Sequence, residues 1–188
     1  RTMRELRAVA ERELAHASHW LVKDPRTSLL IPMWREIAAQ LDVPLRILHV
    51  HRDADEVAAS LASRQAMDPE LAHRIWRHHQ DSIERDRAGL PYTRVDHRRI
   101  MQDPFGQFAH MGRFCGLPNP DHWAMQAAVI IDGSLWHQRT TTTQPTIEPT
   151  PPSNHVPATH EQITDRGTVT IIMRTRWRRH LLPRALRS

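Results

Sequence analysis

The chain has 188 residues, of which 39% are apolar and 25% are charged. This length supports one globular domain of roughly 100–200 residues with appendages, and it excludes two full-sized domains. The formal net charge is +5, and the 26 basic residues are 25 arginines and a single lysine, Lys23. A net positive charge of this kind favours the binding of anionic ligands. Codon bias also enriches arginine, so the excess alone does not indicate nucleic-acid binding, and a solvated surface is the simpler interpretation.

Cysteine usage and hydropathy favour a cytoplasmic protein without a metal centre. Cys115 is the only cysteine, so no internal disulfide can form, and no Cys/His spacing is typical of a zinc site. The sequence has no apolar run of about 20 residues for a membrane span and does not open on a signal peptide. The first residue is Arg1 rather than methionine, and a helical pattern begins at once, which indicates a piece of a longer protein.

The first 41 residues predict a helix, a strand and a second helix. Thr2 and Glu5 form a capping box, and apolar residues at helical spacing extend the first helix over about 3–17. The run HWLVK at 19–23 predicts a buried strand that ends at a polar loop. Apolar residues then recur at the i, i+3, i+4 intervals of a helix over 30–41.

A strand, a polar turn and a helix follow. Residues 45–50, LRILHV, are apolar and rich in strand-forming residues, and the strand ends at His51-Arg52-Asp53. Asp53 or Asp55 caps the next helix. Units of this kind build parallel sheets, whose ligands bind at the carboxyl ends of the strands.

The alternation continues to about residue 131, and then the composition changes. The later predicted elements are a helix from Asp68 to Gly89, a strand over 92–96, helices over 103–116 and 121–131, and a strand over 168–173. Residues 140–160 are rich in Thr and Pro and have too little apolar content to pack. We therefore predict an α/β domain over 1–139, a linker over 140–160 and a basic tail over 161–188.

The strongest candidate for a binding site is the turn after the second strand. Arg52 stands where the strand ends, and Ser60 lies eight positions later on the following helix, so a guanidinium and a hydroxyl can converge on one anion. The planar donor fork of arginine suits phosphate or sulfate. In the alternative interpretation, Arg52 pairs with Asp55 at the helix cap and Ser60 faces solvent.

This segment resembles the sulfotransferase family, whose members move a sulfuryl group from 3′-phosphoadenosine 5′-phosphosulfate (PAPS) to an acceptor. The family pattern is similar to R-[DN]-x-x-[DE]-V-A-x-S. The matching residues are Arg52, Asp53, Glu56, Val57, Ala58 and Ser60. The resemblance implies that Arg52 and Ser60 hold the 3′-phosphate of PAPS.

Two further segments resemble the family in the same order. Residues 20–26 (WLVKDPR) and 30–34 (LIPMW) are similar to the W-x-x-K-D-P-R-x-x-x-x-x-P-x-W stretch of bacterial members. Residues 99–104 resemble the E-D-L-x-x-D-P segment that follows a strand. The resemblance covers about 20–117 and continues more weakly over 131–135.

The resemblance also implies a catalytic group at the end of the first strand. Lys23 or Arg26 would stabilise charge on the transferred sulfuryl group, and Asp24 would accept the proton of the acceptor. His49 or His51 could replace Asp24 as the base, although histidines on a strand can also be packed residues. The alternative is a surface Lys-Asp pair beside a turn-forming Asp-Pro.

The chain departs from the family at two places. His97, Arg98 and Arg99 stand where many members have Tyr-Glu-Asp. No glycine precedes Gly89, so the chain lacks the G-x-x-R-S-G-T-S-like loop that would cradle the 5′-phosphosulfate. We therefore expect the chain by itself to be inactive.

The resemblance implies a three-layer α/β fold with a parallel sheet of the P-loop nucleoside-kinase type, without its first strand and phosphate loop. The predicted activity is sulfuryl transfer from PAPS, without a metal, to a hydroxyl or amine of a carbohydrate, lipid or small molecule. The protein would mainly position the reactants in line and stabilise charge. The alternative is a non-catalytic fragment that binds nucleotides or polyanions. A nucleotide kinase would need a glycine-rich loop with a lysine, which is absent.

The remaining polar clusters carry weaker signals. Residues 76–79 (WRHH) could hold a metal, but adjacent residues on a helix point in different directions, so a surface role is expected. Residues 174–187 are arginine-rich and could bind polyanions or a membrane surface, whereas a solvated tail is the simpler interpretation.

Overall fold

A computed structural model of the protein describes residues 3–24, 26–133 and 167–174. The predicted linker and most of the predicted tail lie outside these residues. Seven α-helices occur in the described ranges: α1 Met3–Leu14, α2 Ile31–Leu41, α3 Ala54–Gln65, α4 Pro69–Asp86, α5 His97–Gln102, α6 Pro104–Cys115 and α7 Pro120–Ala128. The four strands of these ranges are β1 His19–Lys23, β2 Leu45–His51, β3 Tyr92–Asp96 and β4 Thr168–Arg174.

The strands form one all-parallel sheet in the order β1-β4-β2-β3. Strand β4 therefore lies between β1 and β2. Val169, Thr170 and Ile171 are almost completely buried, as expected for a central strand that is covered on both sides. The predicted α/β class with a parallel sheet is confirmed.

Helices flank both faces of this sheet. The core on the first face joins α1, α2 and α4 to β2 and β4, and it includes Ile37, Ile47, Ile83 and Ile171. On the opposite face the Arg46 guanidinium donates to the backbone oxygen of Phe114 in α6 at 2.7 Å. Because neighbouring residues of a strand point to opposite faces, this contact places α6 across the sheet from α2.

Among the described residues, one short α-helix was not predicted from the sequence. Helix α5 spans six residues and begins directly at the end of β3, where the Asp96 carboxylate accepts the backbone N–H of Arg98 at 2.8 Å. A helix of this length shows too little periodicity to be recognised from its sequence. The predicted helix over 103–116 is α6, with Asp103 at its N-cap and Gly116 in the left-handed conformation at its end.

Other boundaries differ by a few residues. Helix α1 ends at Leu14 rather than at about residue 17, and α4 ends at Asp86, before the predicted Gly89. The strand predicted over 168–173 is confirmed as β4. None of the helices within the described ranges is long and apolar enough to cross a bilayer.

Candidate anion-binding site

The carboxyl ends of β2 and β3 enclose the candidate site. Strand β2 leads to α3 and then to α4, which lies on the first face, whereas β3 leads through α5 to α6 on the opposite face. The connections from the two strands thus lead to opposite faces of the sheet, and we call the space between the carboxyl ends of β2 and β3 the crevice. Ligands of open α/β sheets bind in such a crevice.

A buried carboxylate in this crevice bridges two arginines. Glu56, in the first turn of α3, is 1% exposed. It accepts a hydrogen bond from Nε of Arg52 at 3.2 Å and another from Nη2 of Arg98 at 2.9 Å. Arg52 follows β2 and Arg98 follows β3, so a single carboxylate joins the ends of two neighbouring strands. The hydrogen bond to Glu56 raises the pKa of the Arg98 guanidinium.

Local structure also fixes the backbone of Arg52. The Asp53 carboxylate accepts the N–H groups of Asp55 and Glu56, so Asp53 is the cap of α3. The indole N–H of Trp76 in α4 donates to the backbone oxygen of Arg52 at 3.0 Å. Asp55 is bonded to His73 at 2.9 Å, and the predicted alternative partner of Arg52 is therefore engaged elsewhere.

Ser60 lies one turn after Glu56 on α3 and is 6% exposed. Its hydroxyl accepts a hydrogen bond from Nη2 of Arg64, and its backbone oxygen accepts another from Nε of the same residue. Ser60 therefore does not face solvent, contrary to the alternative interpretation. Residues 56, 60 and 64 follow each other at intervals of four, which places them along one side of α3, whereas Arg52 precedes the Asp53 cap. This spacing was the available sequence signal for Arg64, which was not among the predicted site residues.

The end of β1 carries a different arrangement. Arg26 donates to both oxygens of Asp24, from Nε at 2.9 Å and from Nη2 at 2.8 Å, and its backbone N–H donates as well. The side-chain hydrogen bond from Arg26 lowers the pKa of Asp24. Lys23 is exposed beside this pair. A carboxylate held in this way is a weak base, and Asp24 would have to leave Arg26 before accepting a proton.

The structure does not bring the β1 group into contact with the β2 group. Strand β4 lies between β1 and β2, so these two strands are about 10 Å apart across the sheet. Lys23 and Leu48 pair with the same residue of β4, Ile172, so Arg52 also lies about 13 Å further along the strand direction than Lys23. Lys23 and Arg26 therefore lie along the same edge as Arg52 without touching it.

His49 and His51 point to the same face of β2, with their ring centroids 5.7 Å apart. His49 is 1% exposed and is bonded through Nδ1 to the Tyr92 hydroxyl. Burial lowers the pKa of His49 to about 3, so the ring is neutral and packed. This geometry does not favour His49 as a base that meets substrate.

His51 lies nearer the end of the strand. Its Nδ1 is 3.0 Å from Nη2 of Arg94 and 3.4 Å from the carboxylate of Asp96. Nδ1 can make only one of these hydrogen bonds at a time, because it accepts from Arg94 when it carries no proton and donates to Asp96 when it carries one. Burial raises the pKa of Asp96, but hydrogen bonds from His51 and the Arg98 backbone outweigh burial and lower the pKa overall.

Two other features adjoin the crevice. A hollow of about 490 Å³ opens beside the start of α3, and its lining residues are Ala54, Glu70, His73, Arg74, Trp76 and Arg77. Further along the edge, Ser28 and Nδ1 of His79 form a buried hydrogen bond of 2.5 Å between the turn after β1 and α4. Among the residues that the structure describes, no three His, Cys, Asp or Glu side chains are grouped to hold a metal ion.

We compared the chain with protein-family models, with curated proteins and with solved structures, and none of them matches. The case for a function therefore rests on the residues of this sheet edge and on their arrangement.

Proposed function

We propose that the chain carries the nucleotide-binding part of a PAPS-dependent sulfotransferase. In this proposal Arg52 and Ser60 bind the 3′-phosphate, while Lys23 and Arg26 face the sulfuryl group. Asp24 is the candidate base, and the acceptor is a hydroxyl or amine of a carbohydrate, lipid or small molecule. The proposed fold is of the P-loop nucleoside-kinase type.

The observation that carries this proposal is the placement of Arg52 in the crevice between β2 and β3. Its Nε is bonded to Glu56, and among the described residues its two Nη groups donate to no other side chain. Its side chain is 19% exposed. A guanidinium held at one nitrogen, with two further donor nitrogens, is suited to bind a phosphate group.

The two ends of the edge also offer separated cationic groups. PAPS carries a 3′-phosphate and a 5′-phosphosulfate on one ribose, so its binding requires two separated cationic groups. Arg52 after β2 and Lys23 at the end of β1 are such groups, about 10 Å apart across the sheet and about 13 Å apart along the strand direction. The described residues fit the 3′ end better, because no glycine-rich loop precedes Gly89 to hold the 5′-phosphosulfate.

Binding of adenosine 3′,5′-bisphosphate and of adenosine 5′-phosphate by calorimetry tests the proposal. Arg52→Ala should weaken binding of the bisphosphate roughly tenfold to a hundredfold, because a charge-assisted hydrogen bond is lost. It should change binding of the 5′-phosphate little. Equal losses for both nucleotides would refute the assignment of Arg52 to the 3′-phosphate.

The second candidate is a non-catalytic module that binds nucleotides or polyanions. Arg52 and Arg98 are both held at Glu56 beside the crevice, and Arg64 lies two turns further along α3, whereas at the β1 end Arg26 is paired with Asp24. Transfer of labelled sulfate from PAPS distinguishes the two candidates. The assay should include a version extended upstream of residue 1, and bisphosphate binding without transfer in both versions favours the binding module.

A further inference from the structure

Glu56 is a buried charge with two cationic partners. Its side chain is 2% exposed, while the side chains of Arg52 and Arg98 are 19% and 29% exposed. A carboxylate that is removed from water must be compensated by hydrogen-bonded cations, and each oxygen of Glu56 has one guanidinium. Two guanidiniums therefore share this buried carboxylate, and the carboxylates of Asp53 and Asp96 also act on Arg98.

The two arginines reach Glu56 from different elements. Arg52 ends the turn after β2, and Arg98 belongs to α5, which starts where Asp96 closes β3. Their guanidiniums meet at the two oxygens of one carboxylate, so both are held at the same side of the crevice. An arginine side chain is long and has many rotamers, and a fixed carboxylate removes this freedom before a ligand arrives.

We propose that Arg98 is a second anion-binding residue of this site and that Glu56 positions Arg52 and Arg98 as one clamp. This inference rests on the proposed function. The ligand class is a phosphomonoester on a nucleoside. Such a group carries close to two negative charges at neutral pH, so two guanidiniums match it better than they match a singly charged sulfate ester.

Calorimetric titration of the full 188-residue chain with adenosine 3′,5′-bisphosphate and adenosine 5′-phosphate tests the clamp. Arg98→Ala should weaken bisphosphate binding about tenfold or more and leave 5′-phosphate binding within about threefold. The matched control is Arg99→Ala, which removes the same charge from the next, exposed residue of α5. The control should weaken binding of either nucleotide by less than about threefold. Arg98→Lys keeps the charge without the planar fork and should give an intermediate loss.

Glu56→Gln gives the sharpest result, because electrostatics and positioning predict opposite signs. Removal of a negative charge beside an anion site should by itself tighten binding, whereas loss of the clamp should weaken bisphosphate binding several-fold. Circular dichroism and thermal melting show whether the variant is folded. If the Glu56→Gln variant is not folded, the clamp is tested by comparing Arg98→Ala and Arg98→Lys with Arg99→Ala.

The outcomes separate the clamp from the function on which it rests. If the unmodified chain prefers the bisphosphate but Arg98→Ala behaves like Arg99→Ala, the clamp is overturned and the proposed function stands. Tighter or unchanged binding in a folded Glu56→Gln variant also overturns the clamp. If the unmodified chain binds both nucleotides equally, the proposed function fails, and the clamp for a nucleoside phosphomonoester fails with it.

Discussion

The β1 end and the β2–β3 end of the sheet edge use the same types of side chain in different arrangements. At the β1 end, Asp24 and Arg26 are two residues apart, and their side chains are 36% and 44% exposed. At the β2–β3 end, Glu56 is buried and its partners come from two elements. In an exposed pair, water solvates each charged side chain even when its partner is absent. A buried carboxylate is cut off from water, so it needs its cations in place. Only the second arrangement therefore holds its arginines in fixed positions.

A buried neutral histidine supports each end. His79 is bonded to Ser28 beneath the β1 end, and His49 is bonded to Tyr92 beneath the β2 end. Burial lowers the pKa of His79 to about 4 and that of His49 to about 3. Both ends should therefore respond alike to acid, even though their ion pairs differ.

The largest expected effect is a loss of stability on acidification. In the unfolded chain each histidine titrates near pH 6.5, so below that pH the unfolded state binds protons that the folded state excludes. The free energy of unfolding should fall as the pH is lowered from about 6.5 towards the folded pKa values. By pH 5 the loss is about 2 kcal/mol for each histidine. Urea denaturation at pH 7.5 and pH 5 measures it.

The control for this effect is the residue next to His79. His79→Gln should remove about 2 kcal/mol of the difference between the two pH values, since one buried proton-binding group is gone. His78→Gln, at an exposed position, should keep the difference nearly intact. An unchanged pH dependence in His79→Gln would show that this histidine is not held neutral by the fold.

The next largest effect should follow from breaking the buried pair. Glu56→Gln should lower the free energy of unfolding by about 2–3 kcal/mol, below the usual cost for a fully buried pair because both arginines are partly solvated. Urea denaturation at pH 7.5 measures this loss. Glu36→Gln, on an exposed glutamate of α2, is the matched control and should change stability by less than about 0.5 kcal/mol. Equal losses in the two variants would show that the buried pair of Glu56 stabilises the fold no more than an exposed glutamate does.

The smallest effect is expected at the β1 end. Asp24→Asn removes the charge that pairs with Arg26, but both side chains are already partly solvated. The free energy of unfolding should change by less than about 1 kcal/mol in the same denaturation experiment. A loss as large as that of Glu56→Gln would show that the β1 end is also an organised part of the fold.

Much of the fold could be predicted because its signals are local. The apolar run of β2 and the capping residue Asp53 lie within a few positions of the elements that they define, and the structure has both. Helix α5 could not be predicted from such signals, because it is only six residues long. The nucleotide-binding and catalytic roles of Arg52, Ser60, Lys23, Asp24 and Arg26 remain predictions.

The sequence by itself determined the α/β class, most elements and the placement of Arg52 at a strand end, since these depend on periodicity and short-range capping. Only the tertiary structure decided that β4 lies between β1 and β2, because pairing between distant segments leaves no local pattern. The same holds for the contact between Glu56 and Arg98, which are 42 residues apart. Their meeting depends on the adjacency of β2 and β3 and on the burial of Glu56, which makes a second cation favourable there.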